Sequence, residues 1–395
     1  IMAQGASLLA SNFNNSPYFK INYFYLLACI YVLLPIPFDF LYKTEVLMLP
    51  VSAALRVTIL LLMIWLKRHR LRISSLCLVL AIFCIFTIIL GAKNTIGQYG
   101  SPYLIVKMVV VVGLVIILYD TLSSDDSTVL IKFFLVIYSA NVIPVMLGAT
   151  FGIDEFKTGG SNHRFGYSGL LPTAGNESAI FLMVMFTAVY FNRFHTNYLN
   201  IKPSYSACIL ISISISMVLT GSKLATLYPI ILFISHRLTT RHSHWVILLV
   251  STICILIYTN IEKFRVVYSY FFDYYSARGL LSTLLMSRDT RLASYDLEFS
   301  NLGFFLGNAG SMVNLEMDFF TIYYNLGVFG LIILLGPFFY HLIPRLRTRI
   351  SFAYSISLMT TIILTGHVVE SGFLLVPLVA LSKVLSDYER NPLRY

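Results

Sequence analysis

Long apolar stretches recur from one end of the chain to the other, and "YLIVKMVVVVGLVIILYD" (103–120) is representative of them. A hydrocarbon layer about 30 Å thick is crossed by roughly 20 apolar residues in helical form. Such runs fill the sequence without any linker longer than a loop, so the pattern predicts one all-α, polytopic integral membrane domain over 1–395. Composition agrees: 57% of the residues are hydrophobic and 12% charged, where a soluble domain carries about a quarter charged residues. No internal repeat, heptad array or low-complexity tract stands out beyond "ISISIS" (211–216), which reads as part of a helix.

Apolar runs set against polar breaks predict twelve helices, at 22–41, 46–66, 73–92, 103–119, 129–152, 176–191, 204–219, 223–235, 245–260, 316–341, 351–367 and 370–386. Only "TGSK" (220–223) separates the seventh from the eighth. Basic residues in short loops stay in the cytoplasm, and "KRHRLR" (67–72), "NRFHTNYLNIK" (192–202), "HRLTTRH" (236–242) and "PRLRTR" (344–349) all fall on one side. That side, with both termini, is therefore expected to be cytoplasmic. The acidic break "SSDDS" (123–127) lands there too, against the trend. The five cysteines lie inside apolar runs, where a small soft side chain packs well, so neither disulfides nor zinc are expected. The opening Ile-Met-Ala-Gln-Gly has no basic first region of a cleavable signal peptide, so the first span is expected to insert by itself.

Two segments face outward in this topology, a loop at 153–175 and a long one at 261–315 with short amphipathic helices, and their arginines need a reason to be there. "GGSNHRFGYSGLLPTAGNES" (159–178) sets Arg164 between His163 and the aromatic pair Phe165 and Tyr167. This is either an ordinary solvated loop or a site where a guanidinium fork grips phosphate and aromatic faces meet sugar rings. In "SRDTRLASYDLEFS" (287–300), Arg288, Arg291, Tyr295 and Glu298 share one face of a helix by spacing. A solvated helix laced with ion pairs has the same pattern, but the aromatic-rich stretch before it favours a helix lying on the membrane surface.

Further along, Glu316 and Asp318 stand at the outer mouth of the tenth span, where acids complement the positive end of a helix. Spaced by two, they point about 200° apart on a helix, so one can act as a base while the other caps. Gly327 and Gly330 read as sites of close helix packing. "TGHVVESGF" (365–373) sets His367 one turn from Glu370 at the outer join of the last two spans, either as a general base or as a contact between helices. Lys223 and Glu177 fall in the same outer layer. The sequence holds no Walker motif, no HExxH and no Asp-x-Asp pair. A donor that carries its own diphosphate leaving group fits such a chain without a metal or other cofactor, with arginines stabilising the departing charge.

In its architecture, most of the chain resembles the Wzy-type O-antigen polymerase and O-antigen ligase superfamily. "HRFGYSG" (163–169) is similar to the arginine-bearing middle loop, and "LTGSKLATL" (219–227) to a Ser-Arg segment with Lys223 in place of arginine. "SRDTRLASY" (287–295) is similar to the arginine region of the long loop, and "EMDFFTIYYNLGVFG" (316–330) to the span that follows. The resemblance implies a GT-C-like membrane glycosyltransferase fold in the bacterial inner membrane, working at the periplasmic face. It implies undecaprenyl-diphosphate-linked oligosaccharides as donor and acceptor, with no nucleic acid; a chain-length regulator is a further partner that it allows. Arg164, Arg288, Arg291 and Lys223 would bind diphosphate, His163, Tyr167 and Tyr295 sugars, and Glu316, Asp318 or His367 would be the base. Glu316 and Asp318 stand where the ligases commonly have a His-Asn or His-Ser pair, a departure that favours the polymerase. A ligase using lipid A core as acceptor is one alternative. A flippase is another, disfavoured because the ionisable residues collect at the outer rim and the halves of the chain do not match.

Overall fold

The computed structural model describes residues 51–95, 103–157, 166–170, 175–237, 301–307, 317–344, 348–364 and 371–390, with a few isolated positions: Leu26, Leu27, Ile30, Tyr31, Leu34, Phe38, Asp273, 275–279, Leu315, Val368 and Val369. Its elements are α1 (Val51–Leu66), α2 (Ile73–Thr95), α3 (Tyr103–Thr121), α4 (Ser124–Phe151), α5 (Gly175–Phe194), α6 (Pro203–Leu219), α7 (Lys223–Arg237), the short α8 (Asn301–Leu306), α9 (Asp318–Leu342), α10 (Arg349–Leu364) and α11 (Gly372–Arg390). The described part is all-α. Ten of the expected spans correspond to helices here. The ninth span, and the first apart from its isolated residues, lie outside the described residues.

Two helices sit at the centre. α11 packs against α1, α3, α4, α5 and α9, and it is buried along nearly its whole length; on α5, residues 178 to 192 are buried without a gap. That stretch of α5 carries no charge, and an apolar helix with no polar face belongs in such a place. The surrounding helices are apolar outward as well. Val136, Ile143, Leu147 and Phe151 form an exposed stripe on α4, and Phe329, Ile332 and Tyr340 another on α9. These two helices, Ser124–Phe151 and Asp318–Leu342, are long and apolar enough to cross a membrane. Cys77, Cys84 and Cys208 lie on apolar helices as expected, free and exposed on their surfaces; Cys29 and Cys254 lie outside the described residues.

One end of the bundle is tied by charge. The Asp126 carboxylate, 5% exposed, accepts from Lys67 at 2.9 Å and Arg70 at 2.8 Å. It also completes a capping box with Ser123 at the start of α4. The "SSDDS" stretch is only in part a break: Ser123 caps α4, 124–127 form its first turn, and Asp126 answers the basic break at 67–72. At the same end Ser124 donates to Asp387, Ser75 donates to Asp120, and the Thr348 amide donates to Glu389 at 3.1 Å. These bonds join α1, α2, α3, α4, α10 and α11 through their polar ends.

Glycine shapes the fold at a second place. Gly327, nine positions into α9, has φ 65° and ψ −163°, which interrupts the helix, and only glycine populates that region readily. A Cβ there would lie 2.4 Å from the Phe305 carbonyl oxygen, while one on Gly307 (φ 79°) would lie 2.4 Å from the Leu326 nitrogen. The break thus lets the backbone at 305–307 cross α9 at close range. Around it, Phe304 meets Tyr323 at 6.3 Å and Phe305 meets Phe329 at 5.5 Å between ring centroids. Gly327 thus serves close packing, of α8 on α9, as its sequence setting suggests, although through an interruption of its own helix. One expectation changes: residues 301–307, read as part of an outer loop, meet α9 about 13 Å along the helix from its start, at ~1.5 Å per residue.

Candidate functional site

The other end of the bundle gathers buried charge around the start of α11. Asp318 opens α9 and is 3% exposed. Its Oδ2 accepts two backbone amides, Val368 N at 2.7 Å and Val369 N at 2.9 Å. The turn tightens through Ser371 N donating to Val368 O at 3.2 Å, and Ser371 Oγ accepts from Leu374 N at 3.3 Å to start α11. Hydrogen bonds to an ionised acceptor are about twice as strong as neutral ones. The carboxylate therefore fixes the turn that His367 and Glu370 flank in sequence.

In the first turn of α11, Phe373 meets the Phe181 ring of α5 at 5.2 Å, and the Arg56 guanidinium of α1 lies 5.4 Å from its ring centroid. Arg56 is 8% exposed. A cation over an aromatic face is attracted by the ring quadrupole, and a buried arginine in an apolar helix is costly enough to suggest function. Arg56 does not stand out among the polar breaks of the sequence, because it sits inside the run "VSAALRVTILLLMIWL". Its signal was the single charge in that run. Lys107, near the start of α3, is a half-buried cation within another apolar helix.

The 153–175 loop has a fixed base. Lys157 and Tyr167 form an isolated antiparallel bridge, and Ser168 N and Gly169 N donate to Phe156 O at 2.9 and 3.2 Å. Asn141 of α4 clamps the returning strand, donating to Ser168 O at 3.0 Å and accepting from Leu170 N at 2.7 Å. Tyr167 N donates to Leu219 O at 2.8 Å. Gly166, at φ 139°, lies so close to Thr220 that a Cβ would come within 2.1 Å of its carbonyl oxygen. The base of the loop carrying His163 and Arg164 thus touches the turn that leads to Lys223. Asp154 accepts from Lys157 at 2.5 Å, and this bond raises the lysine pKa above its usual value.

Of the residues expected to form a site, Asp318 is buried and bonded as described, and Tyr167 is half-buried with its ring over Gly148 of α4. Lys223 opens α7, and Glu177 lies in the first turn of α5. His163, Arg164, Arg288, Arg291, Tyr295, Glu316 and His367 lie outside the described residues, as does Glu370. α9 begins at Asp318 with Met317 before it, so position 316 precedes the helix and the 200° separation does not apply. Two pairs of segments are brought together: 166–167 with 219–220, and Asp318 with 368–369. Among the described residues no group of three His, Cys, Asp or Glu side chains is placed to hold a metal. Set beside known proteins, the chain matches no family model, no curated protein and no solved structure.

Proposed function

We propose that the chain is a twelve-span glycan polymerase of the bacterial inner membrane, related in type to the O-antigen polymerases, with both termini cytoplasmic. The observation that carries the reading is the pairing of buried charge and polar turns at the Asp318 end of the bundle, opposite the end held by Lys67, Arg70 and Asp126. On α11, Phe373 and Asp387 mark the two layers, about 21 Å apart at ~1.5 Å per residue. That separation suits the interior of a bilayer. Basic residues crowd the Asp126 end, so that end is cytoplasmic and the Asp318 end is periplasmic.

The donor is a growing glycan on undecaprenyl diphosphate, and the acceptor is a new lipid-linked repeat. An acceptor hydroxyl loses its proton to a base and bonds to the anomeric carbon of the donor; the carbon–oxygen bond to diphosphate breaks, and undecaprenyl diphosphate leaves. Arg164, Arg288, Arg291 and Lys223 hold diphosphate, joined by Arg56, while His163, Tyr167 and Tyr295 meet sugars. With its Oδ2 engaged by two amides, Asp318 is a positioning residue for the turn beside His367. The base is then His367 or Glu316.

Alanine at Arg164, Arg288 or Arg291 tests this in cells. Loss of one oxyanion-type contact lowers the rate by about 10²–10³-fold. The ladder of glycan lengths is then expected to collapse to a single repeat on lipid A core, with the protein still present in the membrane. Accumulation of long lipid-linked polymer with none on core would identify a ligase, and unchanged ladders in all three would remove the outer-face site.

A further inference from the structure

The cytoplasmic end holds a cavity of about 990 Å³ that the transfer reaction does not use. Three cations line it: Arg72, between α1 and α2, and Lys383 and Arg390 on α11. Positions seven apart on a helix lie on the same face, so Lys383 and Arg390 point the same way. The carboxylate in the lining is Asp120, which accepts from Ser75 and lies 4.0 Å from Arg72 Nε. It balances one cation, and Asp387, one turn from Lys383 on α11 and within electrostatic reach of its ammonium, offsets a second, which leaves a net excess of one. Lys383 is held in place, its ammonium donating to Tyr119 O at 3.1 Å and lying 4.5 Å from the Tyr119 ring centroid. That bond uses one of its three N–H donors.

The lining turns apolar on the side facing away from α11. Leu78 of α2 and Tyr340 of α9 belong to it, and Tyr340 is 82% exposed. Both helices pack on α3. In the membrane topology proposed above, on which this inference rests, these side chains face lipid. The cavity therefore offers cations at the depth of the headgroups and an apolar flank beneath. Basic pockets between membrane helices on the cytoplasmic side suit anionic lipid heads.

We propose that this cavity holds the phosphate-bearing headgroup of an anionic phospholipid of the cytoplasmic leaflet, with its acyl chains along Leu78 and Tyr340. A soluble phosphate compound shares the headgroup chemistry but has nothing to place on the apolar flank.

Native mass spectrometry of the purified full chain in detergent tests the site, with phosphatidylglycerol, phosphatidylcholine and glycerol phosphate as probes. Phosphatidylglycerol is expected to stay bound in preference to phosphatidylcholine. The Arg72→Gln/Arg390→Gln variant, altered at two exposed side chains, is expected to bind it about thirty-fold more weakly, from two surface charges. Arg68→Gln, exposed at the same end but outside the cavity, is expected to bind as the parent does. The lipid site is overturned by equal retention of both phospholipids, by an unchanged double variant, or by an equal loss in Arg68→Gln. Competition by glycerol phosphate at the same concentration as phosphatidylglycerol would assign the cations to a soluble phosphate and overturn the lipid source. Binding is read without glycan transfer, so failure of the polymerase reading leaves it intact. Release of the chain from membranes by alkaline extraction would instead remove the topology beneath both.

Discussion

Asp318→Ala is expected to destabilise the protein by about 2–6 kcal/mol, because two buried amides lose their acceptor at roughly 1–3 kcal/mol each. The amides belong to Val368 and Val369, both bonded to Oδ2 of a side chain that is 3% exposed. Thermal unfolding in detergent measures the loss. Asp318→Asn separates holding the turn from accepting a proton, since the amide oxygen still accepts hydrogen bonds but forfeits their charge assistance. A positioning role predicts a shortened glycan ladder in Asp318→Asn and none in Asp318→Ala. A stable Asp318→Asn protein with no polymer at all would instead make Asp318 the base.

Gly327→Ala carries the second large effect, about 2–6 kcal/mol. Roughly 1–3 comes from forcing a side chain into a backbone region that is essentially glycine's, and about 1–3 more from overpacking against Phe305, whose carbonyl lies 2.4 Å from the added carbon. Gly307→Ala strikes the same crossing from the other side. Once either substitution has pushed 305–307 away from α9, the second has less to disrupt, so the double variant should cost clearly less than the sum of the singles. Residues in contact are where additivity fails. Additive losses would mean that the two glycines do not share one contact.

These two positions also mark how far the sequence alone reaches. The helices at 73–95 and 203–219 were legible because continuous apolar runs set them, and even "TGSK" correctly separated α6 from α7. The charges were harder to place. Asp126 reads as part of a polar break until Lys67 and Arg70 arrive from more than fifty residues away, and no local pattern encodes that pairing. Gly327 looks like any small residue on a membrane helix, because its positive φ is imposed by the chain that crosses it. The charge of Asp318 is visible in the sequence, yet its partners are backbone amides, which no side-chain motif records. Arg56 was hidden by the apolar run around it, although that same setting is what makes its burial informative.

The most direct test of glycan polymerisation uses the purified chain, a single lipid-linked repeat and no other factor. The account predicts products of two or more repeats, with undecaprenyl diphosphate released in step with each bond formed. A preparation that unfolds cooperatively, and is therefore intact, but leaves the repeat unextended would contradict it.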